Sequence, residues 1–145
     1  MHGGVRVSLR EILFRGKRVD NGEWAYGSLV VRKKEDGVKK YFISGFTPFE
    51  KAGEVQAETV GEFTGFMDMA GKSVFEGDVV EDLAYGSYEV CMSVWGFRAF
   101  DRKTGASYGL REFGGLRIVG TVFDEKYHSK EEVQEAKSKG TVKQI

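Results

Sequence analysis

Apolar and polar residues alternate over short stretches in most of the chain, and turn-forming residues separate one stretch from the next. Residues 11–19 (EILFRGKRV) and 23–33 (EWAYGSLVVRK) flank Asn21-Gly22, a dipeptide that favours the turns of β-hairpins. A second turn, KEDG at residues 34–37, precedes the alternating residues 38–44 (VKKYFIS). The first third of the chain therefore predicts three strands joined as hairpins.

The middle of the chain repeats this arrangement at a shorter spacing. Residues 58–66 (ETVGEFTGF) and 72–75 (KSVF) flank the turn DMAG, and the turn EGD at residues 76–78 precedes VVEDL at residues 79–83. Four further strands are predicted, with the sequences YEVCMSVW, FRAFD, SYGLREF and LRIVGTVF. Turn signals at intervals of about 8–12 residues are typical of a β-barrel or a β-sandwich.

The last residues change from a strand pattern to a helix pattern. Ser129 stands at an N-cap position, Glu132 follows at the spacing of a capping box, and Gly140 comes after the last turn of a helix near residues 130–139. A loop that contains Pro48, the one proline, is the predicted boundary between two subdomains. The predicted fold is all-β with three parts: an N-terminal hairpin-based sheet (residues 5–50), a small SH3-like β-barrel (55–124) and a short C-terminal helix with its tail (125–145).

Composition agrees with a chain that turns often. The 145 residues include 20 glycines and one proline, and glycine supplies positive φ in tight turns. The one cysteine cannot form a disulfide within the chain, which is typical of a reducing compartment. The first residues lack an apolar signal core, and no run approaches about 18 apolar residues. We therefore expect a cytoplasmic protein without a membrane span.

Few residues are candidates for catalysis. His2 and His128 have no partner at the spacing of metal ligands, and Cys91 lies in the middle of a predicted strand without an activating base near it in sequence. The densest acidic cluster is suited in principle to Mg²⁺ binding or acid–base chemistry, and consists of Glu76, Asp78, Glu81 and Asp82. Strand alternation places Glu81 and Asp82 on opposite faces, so turn formation is the preferred interpretation. We expect no catalytic, cofactor-binding or metal-binding residue, and no enzyme.

Charge is balanced over the chain but not along it. Residues 1–45 carry a net charge of +5, residues 46–100 carry −7, and residues 101–145 carry +2. Basic and aromatic residues mixed in the first part could form a platform for single-stranded nucleic acid. The candidates are Arg15, Lys17, Arg18, Lys33, Lys34, Lys39, Lys40, Trp24 and Tyr41. A solvated hairpin that packs its aromatic rings inward is the preferred interpretation, because a neutral chain attracts phosphate only weakly over a distance.

Three segments together resemble the YopX family of phage and prophage proteins: ILFRGKRVDNGEWAYGSLV, ETVGEFTGFMDMAGKSVFEGDVVE and LRIVGTVFDE. The resemblance covers residues 12–125 and is most specific in the central segment. It implies a small, mostly β protein with barrel-like parts that tends to self-associate, and it implies no catalytic residue. It also implies structural roles in turns and at strand starts for Gly65, Asp68, Gly71, Gly77 and Asp78.

These observations lead to one expected function and two alternatives. We expect a non-enzymatic phage or prophage accessory protein in the cytoplasm of a bacterial host, which forms a homo-oligomer or binds an unknown protein partner. The first alternative is a nucleic-acid-binding module that uses the basic, aromatic N-terminal hairpin. The second is an enzyme built on Glu76, Asp78 and Asp82.

Overall fold

The structure is a computed structural model that describes residues 11–45 and 52–127. These residues form eleven β-strands in two antiparallel sheets, which confirms the mainly β fold. Several predictions fall on residues outside the described ranges: the helix near residues 130–139, the loop at Pro48, and both histidines. None of the helical segments in the described ranges is long and apolar enough to cross a membrane.

The first sheet contains six strands in the order β4-β3-β2-β1-β5-β6. Their bounds are β1 Phe14–Lys17, β2 Trp24–Lys33, β3 Lys39–Ser44, β4 Gly53–Val55, β5 Gly61–Met67 and β6 Ser73–Phe75. Strands β5 and β6 join this sheet because β5 pairs with β1, with Phe14 opposite Glu62. The first sheet thus includes strands from both sides of the predicted boundary near residues 50–55, and the division into 5–50 and 55–124 stays a prediction.

The second sheet contains five strands in the order β10-β9-β8-β7-β11. Their bounds are β7 Asp78–Glu81, β8 Ser87–Ser93, β9 Gly96–Asp101, β10 Ser107–Gly109 and β11 Arg117–Thr121. Three short 3-10 helices lie between or after strands, at Ala57–Thr59, Leu110–Glu112 and Glu125–Tyr127. The closure of these strands into an SH3-like barrel stays a prediction.

The first hairpin forms as predicted, but its turn is longer than a two-residue turn. The Arg18 N–H donates to the Glu23 carbonyl at 2.8 Å, so four residues lie between this bonded pair, and the Gly22 N–H donates to the Arg18 carbonyl at 2.9 Å within the loop. Gly22 has a φ of 73°, whereas Asn21 lacks the positive φ that a type I′ turn requires at both central positions. The Asn21 Oδ1 instead accepts a hydrogen bond from the Glu23 N–H, which stabilises the longer loop.

The predicted strand SYGLREF is shorter in the structure. Strand β10 ends at Gly109, and the 3-10 helix Leu110–Glu112 follows. Leu110 is buried in the core of the second sheet, and the Gly109 N–H donates to the carboxylate of Glu112. Burial of one leucine and this local hydrogen bond together favour a turn over continued strand.

Two apolar cores meet at β6. Val74 packs in the core of the second sheet with buried residues that include Val80, Val90 and Leu116. Phe75, the next residue, packs in a separate cluster with Leu13 and Phe63. Successive residues of a strand point to opposite faces, so β6 contributes to both cores at once.

The outer edge of β11 is covered by side chains and turns. The Ile118 N–H donates to the Asp68 Oδ2 at 3.1 Å, and the Thr121 N–H donates to the Asp124 Oδ2 at 2.8 Å. The Val119 carbonyl accepts a hydrogen bond from the Tyr127 hydroxyl. Such contacts satisfy backbone groups that would otherwise be open to pairing with another chain.

Candidate binding groove

A groove opens where the first strands of the first sheet lie beside β6 and β11. Its volume is about 620 Å³, which falls in the usual range for ligand pockets. Most of its lining surface is apolar and three aromatic rings contribute to it, so we call it the aromatic groove. The lining residues are Leu13, Arg15, Trp24, Tyr26, Lys72, Ser73, Phe75, Asp78, Ile118, Gly120 and Thr121.

A buried ion pair forms one wall of the aromatic groove. Arg15 on β1 and Asp78 on β7 are both buried, and the Arg15 Nη2 lies 2.8 Å from the Asp78 Oδ1. The Arg15 guanidinium lies 4.3 Å from the ring centre of Trp24 and 4.9 Å from that of Phe75. Two aromatic faces and one carboxylate thus stabilise a cation that has little access to water.

The environment of Asp78 affects its ionisation in two opposing ways. Burial raises the pKa of the Asp78 carboxyl, and the charge of Arg15 together with a hydrogen bond from the Phe75 N–H only partly offsets this. The Phe75 N–H lies 2.7 Å from the Asp78 Oδ2, so the carboxylate also closes the turn between β6 and β7. Asp78 therefore connects the turn, the two sheets and the groove.

Strand register places the cations and rings of the groove on one face. Arg15 is opposite Tyr26 and Lys17 is opposite Trp24 in the β1–β2 pair. Residues directly opposite in an antiparallel pair project to the same side, so all four side chains share a face. The Lys17 ammonium lies 5.4 Å from the Trp24 ring centre and adds a second cation beside this ring.

The rings of the groove are held in place yet remain partly open. Trp24 packs against Phe123 with ring centres 6.0 Å apart, and Tyr26 meets Phe75 edge to face at 5.5 Å. Tyr26 is 42% exposed, which is unusual for an aromatic ring in contact with a core residue. This arrangement can bind a planar or apolar group by stacking and burial.

The acidic cluster does not converge on one point. Asp78 pairs with Arg15, whereas the Glu81 Oε2 lies 2.7 Å from the Arg117 Nη2 on the surface. Asp82 lies in the turn before β8 and accepts hydrogen bonds from the Gly86 N–H and the Tyr88 hydroxyl. The bond from Tyr88 to Asp82 raises the pKa of Tyr88 to about 12. In residues 11–45 and 52–127, no group of three or more His, Cys, Asp or Glu side chains is arranged to hold a metal ion.

The residues predicted to bind nucleic acid divide into two groups. Arg15, Lys17 and Trp24 lie in or beside the groove, and Arg18 is paired with Asp20 at 2.9 Å. The others lie on the β2–β3 hairpin and its turn, and they are Lys33, Lys34, Lys39, Lys40 and Tyr41. The burial of Arg15 makes it part of the groove wall rather than of an open basic surface.

Four of the five residues with predicted structural roles lie in or directly beside turns. Gly71 and Gly77 have φ values of 80° and 94°. Asp68 accepts hydrogen bonds from the N–H groups of Ala70 and Lys72, which closes the turn between β5 and β6. Gly65 differs, because it lies inside β5, where the pairing with β6 shifts register, and its φ is 88°. A bulge rather than a turn therefore explains this glycine.

The sequence interpretation missed most of the groove. Leu13, Phe75 and Ile118 are far apart in the chain, just before β1, in β6 and in β11, and each of them looks like an ordinary core residue in its own segment. Tyr26 was recognisable as an aromatic residue among basic ones, but only the register of β1 and β2 places it beside Arg15. Cys91 is half-buried within β8 and does not line the groove.

Comparison with models of known protein families identifies one family. The model of the family described as YopX protein matches residues 13–126, which is most of the chain. No curated protein matches. The matched segment includes every residue that lines the groove.

Proposed function

The chain belongs to the YopX protein family, and we propose that it is a non-enzymatic accessory protein of a phage or prophage that self-associates and binds a protein partner in the host cytoplasm. The proposal rests on the aromatic groove, in which the partly exposed rings of Trp24 and Tyr26 lie beside the Arg15–Asp78 pair. Tryptophan, tyrosine and arginine are the residues most enriched where proteins bind each other tightly.

The physical character of the groove favours a protein segment as ligand. A half-exposed ring that becomes buried contributes about 25 cal/mol per Å² of apolar area removed from water. The rings need little reordering, because Phe123 and Phe75 already hold Trp24 and Tyr26. A ligand side chain that enters the groove would therefore lose its own conformational entropy, whereas the groove of the protein would lose little.

Catalysis is a weaker explanation of the same groove. A nucleophile needs a neighbouring base, and Ser73 and Thr121 are the aliphatic hydroxyl residues that line the groove. The lining carboxylate, Asp78, is engaged by Arg15 and by the Phe75 N–H. The groove thus offers a binding surface in which Arg15 and Asp78, two of its three charged residues, are paired with each other.

Self-association with a groove variant tests the proposal. We expect the wild type to be larger than a monomer by light scattering at micromolar concentrations, and Tyr26→Glu to shift the population toward monomer by placing a charge in an apolar site. Val38→Ala is the matched control, because Val38 is exposed in the β2–β3 turn, away from the groove. A wild type that stays monomeric at every concentration would refute self-association.

Nucleic-acid binding is the second candidate, and a particular observation favours it. In the β2–β3 hairpin, Lys33 lies directly opposite Lys39 and Arg32 directly opposite Lys40. Like charges at opposite positions destabilise a strand pair, and a bound phosphate would relieve this repulsion. Lys40 also lies 3.7 Å from Glu54, which already relieves part of it.

Fluorescence anisotropy with labelled single-stranded DNA and RNA tests this candidate. Binding that falls steeply with salt, and that is lost in Lys33→Glu with Lys39→Glu, would establish the hairpin as a nucleic-acid site. Lys103→Glu in the turn between β9 and β10 is the control for a general loss of positive charge. No binding at low salt would reject the candidate.

A further inference from the structure

The tip of the β8–β9 hairpin carries two large apolar side chains in water. Val94 and Trp95 are 93% and 84% exposed, and they form the connection between Ser93 and Gly96. Met92, the preceding apolar residue of β8, is also about half exposed. Scattered exposed apolar residues are ordinary, but adjacent valine and tryptophan at a hairpin end form a compact apolar projection. We call Val94 and Trp95 the hairpin tip.

The hairpin tip is built to hold its shape. The Ser93 hydroxyl donates to the Gly96 carbonyl at 2.9 Å and accepts a hydrogen bond from the Trp95 N–H at 3.0 Å. Gly96 has a φ of 94°, which closes the loop in a conformation that glycine adopts without strain. A rigid projection loses little conformational freedom when it is buried, so its apolar area is available for binding.

The aromatic groove has the properties that a tryptophan side chain needs. Indole rings bind well against other rings at offset or edge-to-face geometry, and they are favoured next to cations. Trp24, Tyr26 and Phe75 supply the rings, whereas Lys17 and Lys72 supply cations at or beside the groove. The groove volume of about 620 Å³ leaves room for an indole together with a neighbouring valine.

Charge favours the same pairing. In residues 87–101 of the hairpin, Arg98 is outnumbered by Glu89 and Asp101, so the hairpin carries one net negative charge. In the groove lining, Asp78 is outnumbered by Arg15 and Lys72, so the groove carries one net positive charge. The charge difference orients the approach of two copies, although it adds little to affinity.

From these observations we infer that the hairpin tip of one copy inserts into the aromatic groove of a second copy of this chain. The inference rests on the proposed self-association and specifies its surfaces. The tip and the groove are different patches, so a single contact of this kind is head-to-tail, and a pair of copies joined by it keeps one free groove and one free tip. Such contacts form closed rings or open chains, depending on the rotation between copies.

Two variants separate the two halves of the contact. Trp95→Ala removes the tip and keeps the groove, whereas Tyr26→Glu blocks the groove and keeps the tip. We expect either change to weaken self-association by about 30-fold or more, the usual loss at a dominant interface residue. Leu83→Ala is the control, because Leu83 is an exposed apolar residue outside both patches. Circular dichroism melting verifies that each variant folds.

Mixing the two variants is the decisive measurement. Trp95→Ala supplies an intact groove and Tyr26→Glu supplies an intact tip, so their equimolar mixture should form a one-to-one dimer that neither forms alone. Sedimentation velocity reads out the species. If the mixture stays monomeric although the wild type associates, the head-to-tail contact is refuted and self-association stands. If the wild type is itself monomeric, both self-association and the contact between tip and groove are refuted.

Tryptophan fluorescence gives an independent readout. The chain has two tryptophans, Trp24 and Trp95, so Trp24→Phe leaves the tip as the one indole and keeps a ring in the groove. We expect the emission of Trp95 to shift to shorter wavelength as concentration rises and the tip becomes buried. An emission maximum that stays at the position of exposed indole while the protein associates would overturn the assignment of the tip.

Discussion

At the scale of single residues, Gly77 is constrained more tightly than Gly71, another turn glycine with a positive φ. Its φ is 94°, and a Cβ atom placed on it would lie 3.2 Å from the Phe123 ring. Gly71 has a similar φ of 80° but has open space around it. At both positions a side chain would cost free energy, because residues other than glycine rarely adopt a positive φ. At Gly77 the added Cβ atom would also be in close contact with a neighbour in a buried site.

We therefore predict that Gly77→Ala destabilises the protein more than Gly71→Ala. The backbone cost is about 1–3 kcal/mol at each position, and the contact with Phe123 adds to it at Gly77. Urea denaturation of the two variants beside the wild type measures the difference. Equal losses in the two variants would mean that Phe123 moves aside freely and that φ alone determines the cost.

A second prediction at this scale concerns pH and Asp68. Burial opposes ionisation of Asp68, but hydrogen bonds from the N–H groups of Lys72, Ile118 and Ala70 outweigh it, so the pKa of Asp68 lies below its ordinary value. The unfolded chain then takes up this proton at a higher pH than the folded chain. The stabilisation is present above about pH 4 and is lost as the pH falls through the lower pKa of the folded state.

Asp68→Asn should be less stable at neutral pH, because an amide cannot accept all three hydrogen bonds that the carboxylate accepts. Its stability should also fall less between about pH 4 and pH 2 than that of the wild type. Other aspartates also change their protonation in this pH range, so the informative quantity is the difference between the stability–pH curves of the variant and the wild type. Parallel curves across this range would contradict the role given to Asp68.

At the scale of elements, the Arg15–Asp78 pair joins β1 of the first sheet to β7 of the second. Both side chains are buried, so removal of one partner leaves the other as an uncompensated charge. We predict that Arg15→Ala or Asp78→Ala alone destabilises by about 3–5 kcal/mol. Arg15→Met with Asp78→Leu should recover much of the loss, because apolar residues can replace a buried ion pair. Chemical denaturation of the set tests this, and additive losses would contradict the coupling.

Local sequence signals predicted where strands and turns occur better than they predicted which strands pair with each other. Asn21-Gly22 and Gly71 mark real turns because their requirements are local, namely a positive φ at a glycine. The strand predicted through Leu110 was too long, because burial of that leucine in the core determines where β10 ends. The pairing of β5 with β1 brings together residues about fifty positions apart, and no local pattern encodes it. The groove was hard to predict for the same reason, since its walls come from five strands.

At the scale of the whole molecule, the chain is neutral but its first and middle parts are oppositely charged. Inside the subunit, β1 and β7 already join one cation of the first part to one anion of the middle part. Opposite charges that remain on the surface are exposed, and exposed pairs contribute about 0–1 kcal/mol each.

We therefore predict that salt weakens self-association only modestly. Between about 50 and 500 mM NaCl, the dissociation constant should rise by less than about tenfold, because apolar burial of Trp95 dominates and salt screens only the exposed charges. Light scattering in a series of salt concentrations measures this. A much steeper dependence would indicate an interface held mainly by charge.

Strand β6 has a consequence for how the protein can be divided. Val74 belongs to one core and Phe75 to the other, and Glu76 and Gly77 are the only residues between β6 and β7. If the chain were cut at this point, Val74 would be exposed to water in the first fragment, and the core of the second fragment would lack the contact that Val74 provides. The second sheet therefore depends on the first for part of its core, and any replacement of the first sheet would have to supply an apolar side chain where Val74 now packs.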